Sequence, residues 1–196
     1  MNVPNQLTVS RFVLTAAFLV AVFVEFPLHK TVSLLLFSAA SLTDYFDGRI
    51  ARRDRLITNF GILMDPLADK ILVCSAFIAF VGLGWMPAWM AVIVVGRELA
   101  ITGLRLLAAS KNLVLAAERF GKHKTISQIV AILSILVQHC YQEAGPAGKL
   151  IFGFHLLGKP WVEWFAPAAL WVAVALTLAS GVIYLWRNRA LYLSDL

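Results

Sequence analysis

Six apolar runs, each near the length that crosses a lipid bilayer, constrain this chain more than any other feature. They cover residues 7–26, 31–46, 61–83, 88–107, 126–141 and 161–186. A hydrocarbon core about 30 Å thick takes about 20 residues of α-helix. A segment in lipid must also satisfy its own backbone N–H and C=O groups, which an α-helix does within itself. The expected fold is therefore all-α: a polytopic membrane protein with six transmembrane helices in one membrane domain, 1–196. The runs at 31–46 and 126–141 are short unless they extend into the connectors. Composition agrees, since 60% of the 196 residues are hydrophobic and only 14% are charged, far from the balance of a soluble domain. The N-terminus carries neither a basic leader nor a small-residue cleavage site, so the first run reads as retained. Cys74 and Cys140 stand alone in separate runs and form no disulfide framework or metal spacing.

Lys and Arg orient the bundle. Arg49, Arg52, Arg53 and Arg55 follow the second run, Lys111, Arg119, Lys122 and Lys124 follow the fourth, and Arg187 and Arg189 lie in the tail. Lys30, Lys149 and Lys159 fall on the other side. The positive-inside rule makes the heavily basic face, with both termini, cytoplasmic. Trp85, Trp89, Trp161 and Trp164 fall near the opposite interface, as an aromatic belt would. The formal charge of +6 suits anionic headgroups and phosphate substrates better than nucleic acid in so apolar a chain, and no nucleic-acid partner is expected.

Between the second and third runs lies a cluster of acids: Asp44, Asp47, Asp65 and Asp69. A charge near a membrane helix is costly unless something compensates it. Asp44, Asp47 and Ala51 are spaced i, i+3, i+7, and Gly61, Asp65 and Asp69 are spaced i, i+4, i+8, so each set shares one face of a helix. Two such helices facing each other would converge four carboxylates. Like charges so close stay ionised only around something positive, and an oxygen-only donor set favours a hard divalent cation, Mg²⁺ or Mn²⁺. Pairing with Arg49, Arg52, Arg53, Arg55 and Lys70 on a solvated loop would not require helical register on both sides. Pro66, which lacks an N–H, is expected to free the carbonyl of Ile62 and open the start of the third helix.

A second polar constellation interrupts the fourth run: Arg97, Glu98, Thr102 and Arg105. Glu98, Thr102 and Arg105 share a helical face, and an intramembrane arginine faces the bundle interior or a wet cavity. The fifth helix opens on Gly121-Lys122-His123-Lys124-Thr125 and continues to Gln128. Glycine, two lysines and a hydroxyl at a helix start suit a phosphate, and Arg105 adds a planar fork. Snorkelling at a membrane boundary accounts for Lys111 and Arg119, but less well for Arg105 and the Lys122/Lys124 pair. His29, His139 and His155 are isolated and read as packed or interfacial residues. His123 is turned from the face of its lysine neighbours.

The pattern Asp44-x-x-Asp47-Gly48-x-x-Ala51-Arg52-x8-Gly61-x3-Asp65-x3-Asp69 resembles the signature of the CDP-alcohol phosphatidyltransferases. The opening Pro4-Asn5-x-Leu7-Thr8-x-x-Arg11, the string Asp65-Pro66-x-Ala68-Asp69-Lys70, the pair Arg97-Glu98 and Gly121-Lys122-x-Lys124-Thr125 extend the likeness to about Gln128. They resemble the branch whose acceptor is sn-glycerol 3-phosphate. The resemblance implies transfer of a phosphatidyl group from CDP-diacylglycerol, with CMP leaving, in a polar active-site cavity open to the cytoplasm. It implies that Asp44, Asp47, Asp65 and Asp69 hold Mg²⁺ or Mn²⁺, two ions in all, and that Asp69 is the base. It implies that Asn5, Thr8, Asp44, Gly48, Ala51, Arg52 and Thr58 contact CDP-diacylglycerol, and that Arg105, Lys122, Lys124 and Thr125 hold the acceptor phosphate. It further implies a homodimer in contact with membrane lipids, in a bacterial cytoplasmic membrane. Gly48 and Ala51 fit their role physically, because their minimal side chains let a nucleotide approach the backbone. Inositol phosphate or another alcohol as acceptor stays open. So does a divalent-cation transporter, which would need acids along a path across the bilayer rather than at one face.

Overall fold

The computed structural model describes residues 3–54, 59–111, 113, 115, 120–141, 143, 145–156 and 158–193, and within these every side chain except those at 3–5, 7, 44–54, 59–63, 65, 66, 120–122 and 147. Among the described residues six long helices form: α1 (Val3–Phe23), α2 (His29–Asp54), α3 (Asn59–Gly82), α4 (Ala88–Ser110), α5 (Phe120–Cys140) and α7 (Trp161–Arg187). Between the last two lie a short helix, α6 (Gly145–Phe152), and a two-residue antiparallel pair, β1 (His155–Leu156) with β2 (Lys159–Pro160). A last turn of helix, α8 (Arg189–Leu193), closes the chain.

Each apolar run becomes one long helix, and the differences from the sequence reading lie at the ends. The second helix does not stop near Phe46. It continues through Asp54, so Asp44, Asp47, Gly48, Ala51 and Arg52 all lie inside α2, and α3 is already helical at Asn59. Arg49 to Asp54 contains neither glycine nor proline, and Arg and Ala are good helix formers, so the helix outlasts its apolar stretch. The first helix likewise starts at Val3, with Pro4 in its first turn where a missing N–H costs nothing. The third runs without a break through Pro66, so its start is not opened there.

The turn after α3 shows how sequence sets these ends. Gly84 adopts φ 71°, a left-handed conformation natural to glycine. The Trp85 N–H reaches the Phe80 carbonyl at 2.8 Å and the Gly84 N–H the Val81 carbonyl at 3.0 Å. The Trp85 and Phe80 rings meet at 5.4 Å, completing a Schellman stop with its apolar contact. Trp85 also stacks on His139 of α5 at 3.9 Å, so that histidine is packed, as expected.

One core draws on all six long helices: Phe18 and Val22 of α1, Phe37 of α2, Phe77 and Phe80 of α3, Val94 of α4, Ile132 and Leu136 of α5, and Leu170 and Val174 of α7. Phe18 meets Phe37 edge to face at 5.5 Å, a favoured aromatic geometry. Several hydroxyls are satisfied within their own helices. Thr15 donates to the Arg11 carbonyl, Ser33 to His29 and Ser38 to Leu34, each at 2.7 Å, which lets polar side chains lie on helices in an apolar medium. By length and composition α7 is a membrane-spanning candidate, with mean hydropathy 2.1 over its most apolar window.

At the end of the bundle where α2 begins, Glu143 accepts hydrogen bonds from the backbone N–H groups of Lys30 at 3.1 Å and Thr31 at 3.2 Å. The side chains of His29 and Lys30 sit 3.7 Å and 3.8 Å from the same carboxylate. A carboxylate on the exposed N–H groups of a helix start is favourable through both hydrogen bonding and the helix dipole.

Candidate active site

The acidic signature occupies the C-terminal half of α2 and the N-terminal half of α3. Because both stretches are helical, Asp44 and Asp47 hold an i, i+3 register on α2, and Asp65 and Asp69 an i, i+4 register on α3. The side chains of Asp44, Asp47, Arg52, Asp65 and Lys122, that of Asn5, and the whole of Thr58 lie outside the described residues. By donor chemistry the acidic set fits a hard divalent cation, since every ligand atom it offers is a carboxylate oxygen.

Asp69 is described, and its partner was not legible in the sequence. The guanidinium of Arg11, on α1 and fully buried, donates to Asp69 Oδ1, while the Asp69 side chain stays 44% exposed. The carboxylate is thus anchored by α1 while part of it stays exposed. Thr8, one turn before Arg11, is also fully buried, on the same inward face of α1.

The basic constellation begins at the next residue. Lys70 Nζ donates to Thr102 Oγ1 at 2.6 Å, and Thr102 donates to the Glu98 carbonyl at 2.7 Å. Glu98 is buried. Its carboxylate receives Lys124 of α5 and, at 3.3 and 3.5 Å, the guanidinium of neighbouring Arg97. Lys70 and Arg97 both lie within electrostatic reach of Lys124, and Arg105 within reach of Lys70. Three helices, α3, α4 and α5, therefore bring together a group of cations around one buried carboxylate, beside the last acid of the signature.

The expected acceptor residues separate within this group. Lys124 is buried and held by Glu98. Arg105 is exposed, its guanidinium 5.9 Å from the centre of the Tyr184 ring, a cation–π distance. Thr125 and His123 are exposed, and His123 is turned from buried Lys124 as its spacing predicts. Of the snorkelling candidates, Lys111 has a specific partner: its ammonium caps the Leu191 carbonyl of α8 at 3.1 Å.

The last third of the chain holds no motif, yet α7 walls the site. Gln128 of α5 donates to Thr177 at 3.0 Å, with both side chains buried. Gly181 lies so near Arg97 that a Cβ there would stand 2.8 Å from Arg97 Cγ. Tyr184 lies beneath Arg105. The sequence signal for these residues was only their place among apolar neighbours.

The chain matches the family model described as CDP-alcohol phosphatidyltransferase over residues 1–179. With the helices, the acids and the basic group in place, the match covers both parts of the site and most of α7. The chain belongs to the CDP-alcohol phosphatidyltransferase family and is a transferase. Among its relatives is the CDP-diacylglycerol–glycerol-3-phosphate 3-phosphatidyltransferase of Bacillus subtilis (strain 168), 38% identical over 199 residues that cover 95% of each chain. The protein of the same name from Rickettsia bellii (strain RML369-C) is 33% identical, covering 93% of each. A probable phosphatidylglycerophosphate synthase of Mycobacterium tuberculosis (strain H37Rv) is 42% identical over 134 residues, 67% of this chain and 64% of that one.

Proposed function

We propose that this chain transfers the phosphatidyl group of CDP-diacylglycerol to sn-glycerol 3-phosphate, giving phosphatidylglycerophosphate and CMP. The observation that carries this reading is the junction at Asp69 and Lys70, where the partly exposed carboxylate and the first member of the cationic group are consecutive in one turn of α3. An acceptor with a hydroxyl at one end and a phosphate at the other matches that junction. The relatives named above supply the donor and acceptor by their names.

The chemistry follows from the residues. Asp69, fixed by Arg11, would take the proton of the acceptor hydroxyl as its oxygen bonds to the β-phosphorus and the bond to CMP breaks. A positioned base of this kind contributes roughly 10²–10⁴-fold. Lys124 and Arg105, with Lys122 and Thr125, would hold the acceptor phosphate and orient its hydroxyl. Asn5, Thr8, Gly48, Ala51, Arg52 and Thr58 would contact the CDP moiety. Asp44, Asp47, Asp65 and Asp69 would hold two Mg²⁺ or Mn²⁺ ions, which supply neutralisation of the diphosphate and of the departing CMP charge.

The same reading makes 1–196 one membrane domain of six spanning helices, with the site open to the cytoplasm of a bacterial inner membrane and a homodimer as the working form. What supports the spanning arrangement is the outward face of every long helix. Val20, Leu35, Ile78, Val92, Ile126 and Val182 are each more than half exposed, an apolar surface that water would not tolerate and lipid would cover.

The test is CMP release by the purified protein in detergent, with CDP-diacylglycerol, Mg²⁺ and either sn-glycerol 3-phosphate, inositol phosphate or serine. Release dependent on sn-glycerol 3-phosphate is expected. Release with inositol phosphate alone would move the acceptor, and no release from folded protein would remove the reading.

A further inference from the structure

We propose that Glu98 is a positioning residue for the acceptor: its carboxylate fixes the Lys124 ammonium at the anion end of the site. The inference rests on the reading of Lys124 as an acceptor-phosphate contact. No role in the reaction described above requires an acid at position 98, and a buried carboxylate among phosphate-binding cations would by itself repel the ligand. Its partners explain it. One turn of α4 ties three helices together, with Lys124 of α5 on the Glu98 carboxylate, Arg97 on the same carboxylate at 3.3 Å, and Lys70 of α3 joined through Thr102 to the Glu98 carbonyl.

Without a counter-charge the clustered cations would repel one another. Lysine, a point charge on a four-carbon stem, would turn toward solvent. Glu98 instead holds Lys124 buried and aimed before any acceptor arrives. Pre-arranged donors spare the ordering that binding would otherwise require. The repulsion the carboxylate exerts on the phosphate is the cost of that arrangement, and Arg97, Lys70 and Arg105 outnumber it.

The experiment uses the full-length protein in detergent and varies the two substrates independently. Wild-type CMP release with sn-glycerol 3-phosphate is read first, and its absence would remove the proposed function itself. With that activity present, Glu98→Gln is expected to raise the acceptor KM about tenfold while leaving kcat and the KM for CDP-diacylglycerol within about twofold, the pattern of lost binding rather than lost chemistry. Glu98→Asp, which keeps the charge but withdraws it by one methylene from Lys124, should raise the acceptor KM selectively but by less than Glu98→Gln. Combining Glu98→Gln with Lys124→Ala should be no worse than Lys124→Ala alone, because a residue that acts through another adds nothing once that other is gone. Equal shifts in both KM values, or effects that multiply in the double variant, would overturn the inference. If Glu98→Gln does not fold, Glu98→Asp decides. An acceptor-selective rise in KM supports the inference, and an unselective change or none sinks it.

Discussion

Replacing Gly181 by alanine puts the packing of α7 on the site to a direct test. A Cβ there would stand 2.8 Å from Arg97 Cγ and 3.7 Å from Arg97 Cβ, and ordinary contact begins at 3.4 Å. Arg97 Cγ must therefore retreat by about 0.6 Å, and as the first methylene beyond a helix-locked Cβ it has few rotamers in which to do so. Overpacking of this kind costs about 1–3 kcal/mol, against a gain of about 1 kcal/mol for alanine over glycine inside a helix. Gly103, on α4, supplies the control, because a Cβ there meets nothing within 4 Å. Gly103→Ala should raise the melting temperature by about 2–4 °C, the shift that 1 kcal/mol produces in a chain of this size. Gly181→Ala should fall short of that control by the clash, at least about 2 °C. A thiol-reactive dye suits the assay, since Cys140 is only 2% exposed and becomes available on unfolding. The same variant should also raise the acceptor KM, because displacing Arg97 disturbs its contacts with Glu98. A Gly181→Ala protein as stable as Gly103→Ala would refute the packing argument.

Other expectations follow from single contacts. Asp69→Asn should abolish CMP release while calorimetry still detects nucleotide binding, and full turnover in that variant would remove Asp69 as the base. Glu143→Ala, far from the site, removes the carboxylate from the start of α2 and should cost about 0.5–2 kcal/mol, as lost helix caps do. Melting should reveal this with both KM values unchanged. Chelation by EDTA should stop turnover, and added Mg²⁺ or Mn²⁺ should restore it. Full activity in EDTA would argue against an ion held by the four aspartates.

Much of the architecture was readable before any coordinate. Apolar runs of bilayer length give six helices, because in such a chain little else satisfies the backbone. Helix ends were harder, since polarity marks where lipid ends rather than where the helix does, and α2 continues eight residues past Phe46, the last six of them free of glycine and proline. In the site, Arg11 and Asp69 each stood out separately. Their pairing joins residues 58 positions apart, a relation that no local pattern encodes. Glu98 and Lys124 stood out in the same way and had to be brought together by the packing of α4 and α5. Thr177, Gly181 and Tyr184 were invisible for another reason. Their significance is the neighbour each meets across a helix interface, and small or aromatic residues in an apolar run look the same whether they face lipid or a guanidinium.

The hydrogen bonds from Lys30 and Thr31 to Glu143 fix where α2 begins. From there the helix runs for 26 residues, about 39 Å at 1.5 Å per residue, and carries Asp44 and Asp47 in its far half. A helix hardly stretches, so α2 behaves as a ruler with its zero pinned at one face of the bundle and its working marks at the other. The depth of the acids is then set by counting residues along α2 from Lys30 and Thr31, where Glu143 holds the helix. In the spanning arrangement, a thinner or thicker bilayer must be met by tilting the bundle as a whole or by deforming the lipid around it, and the spacing within the site stays the same.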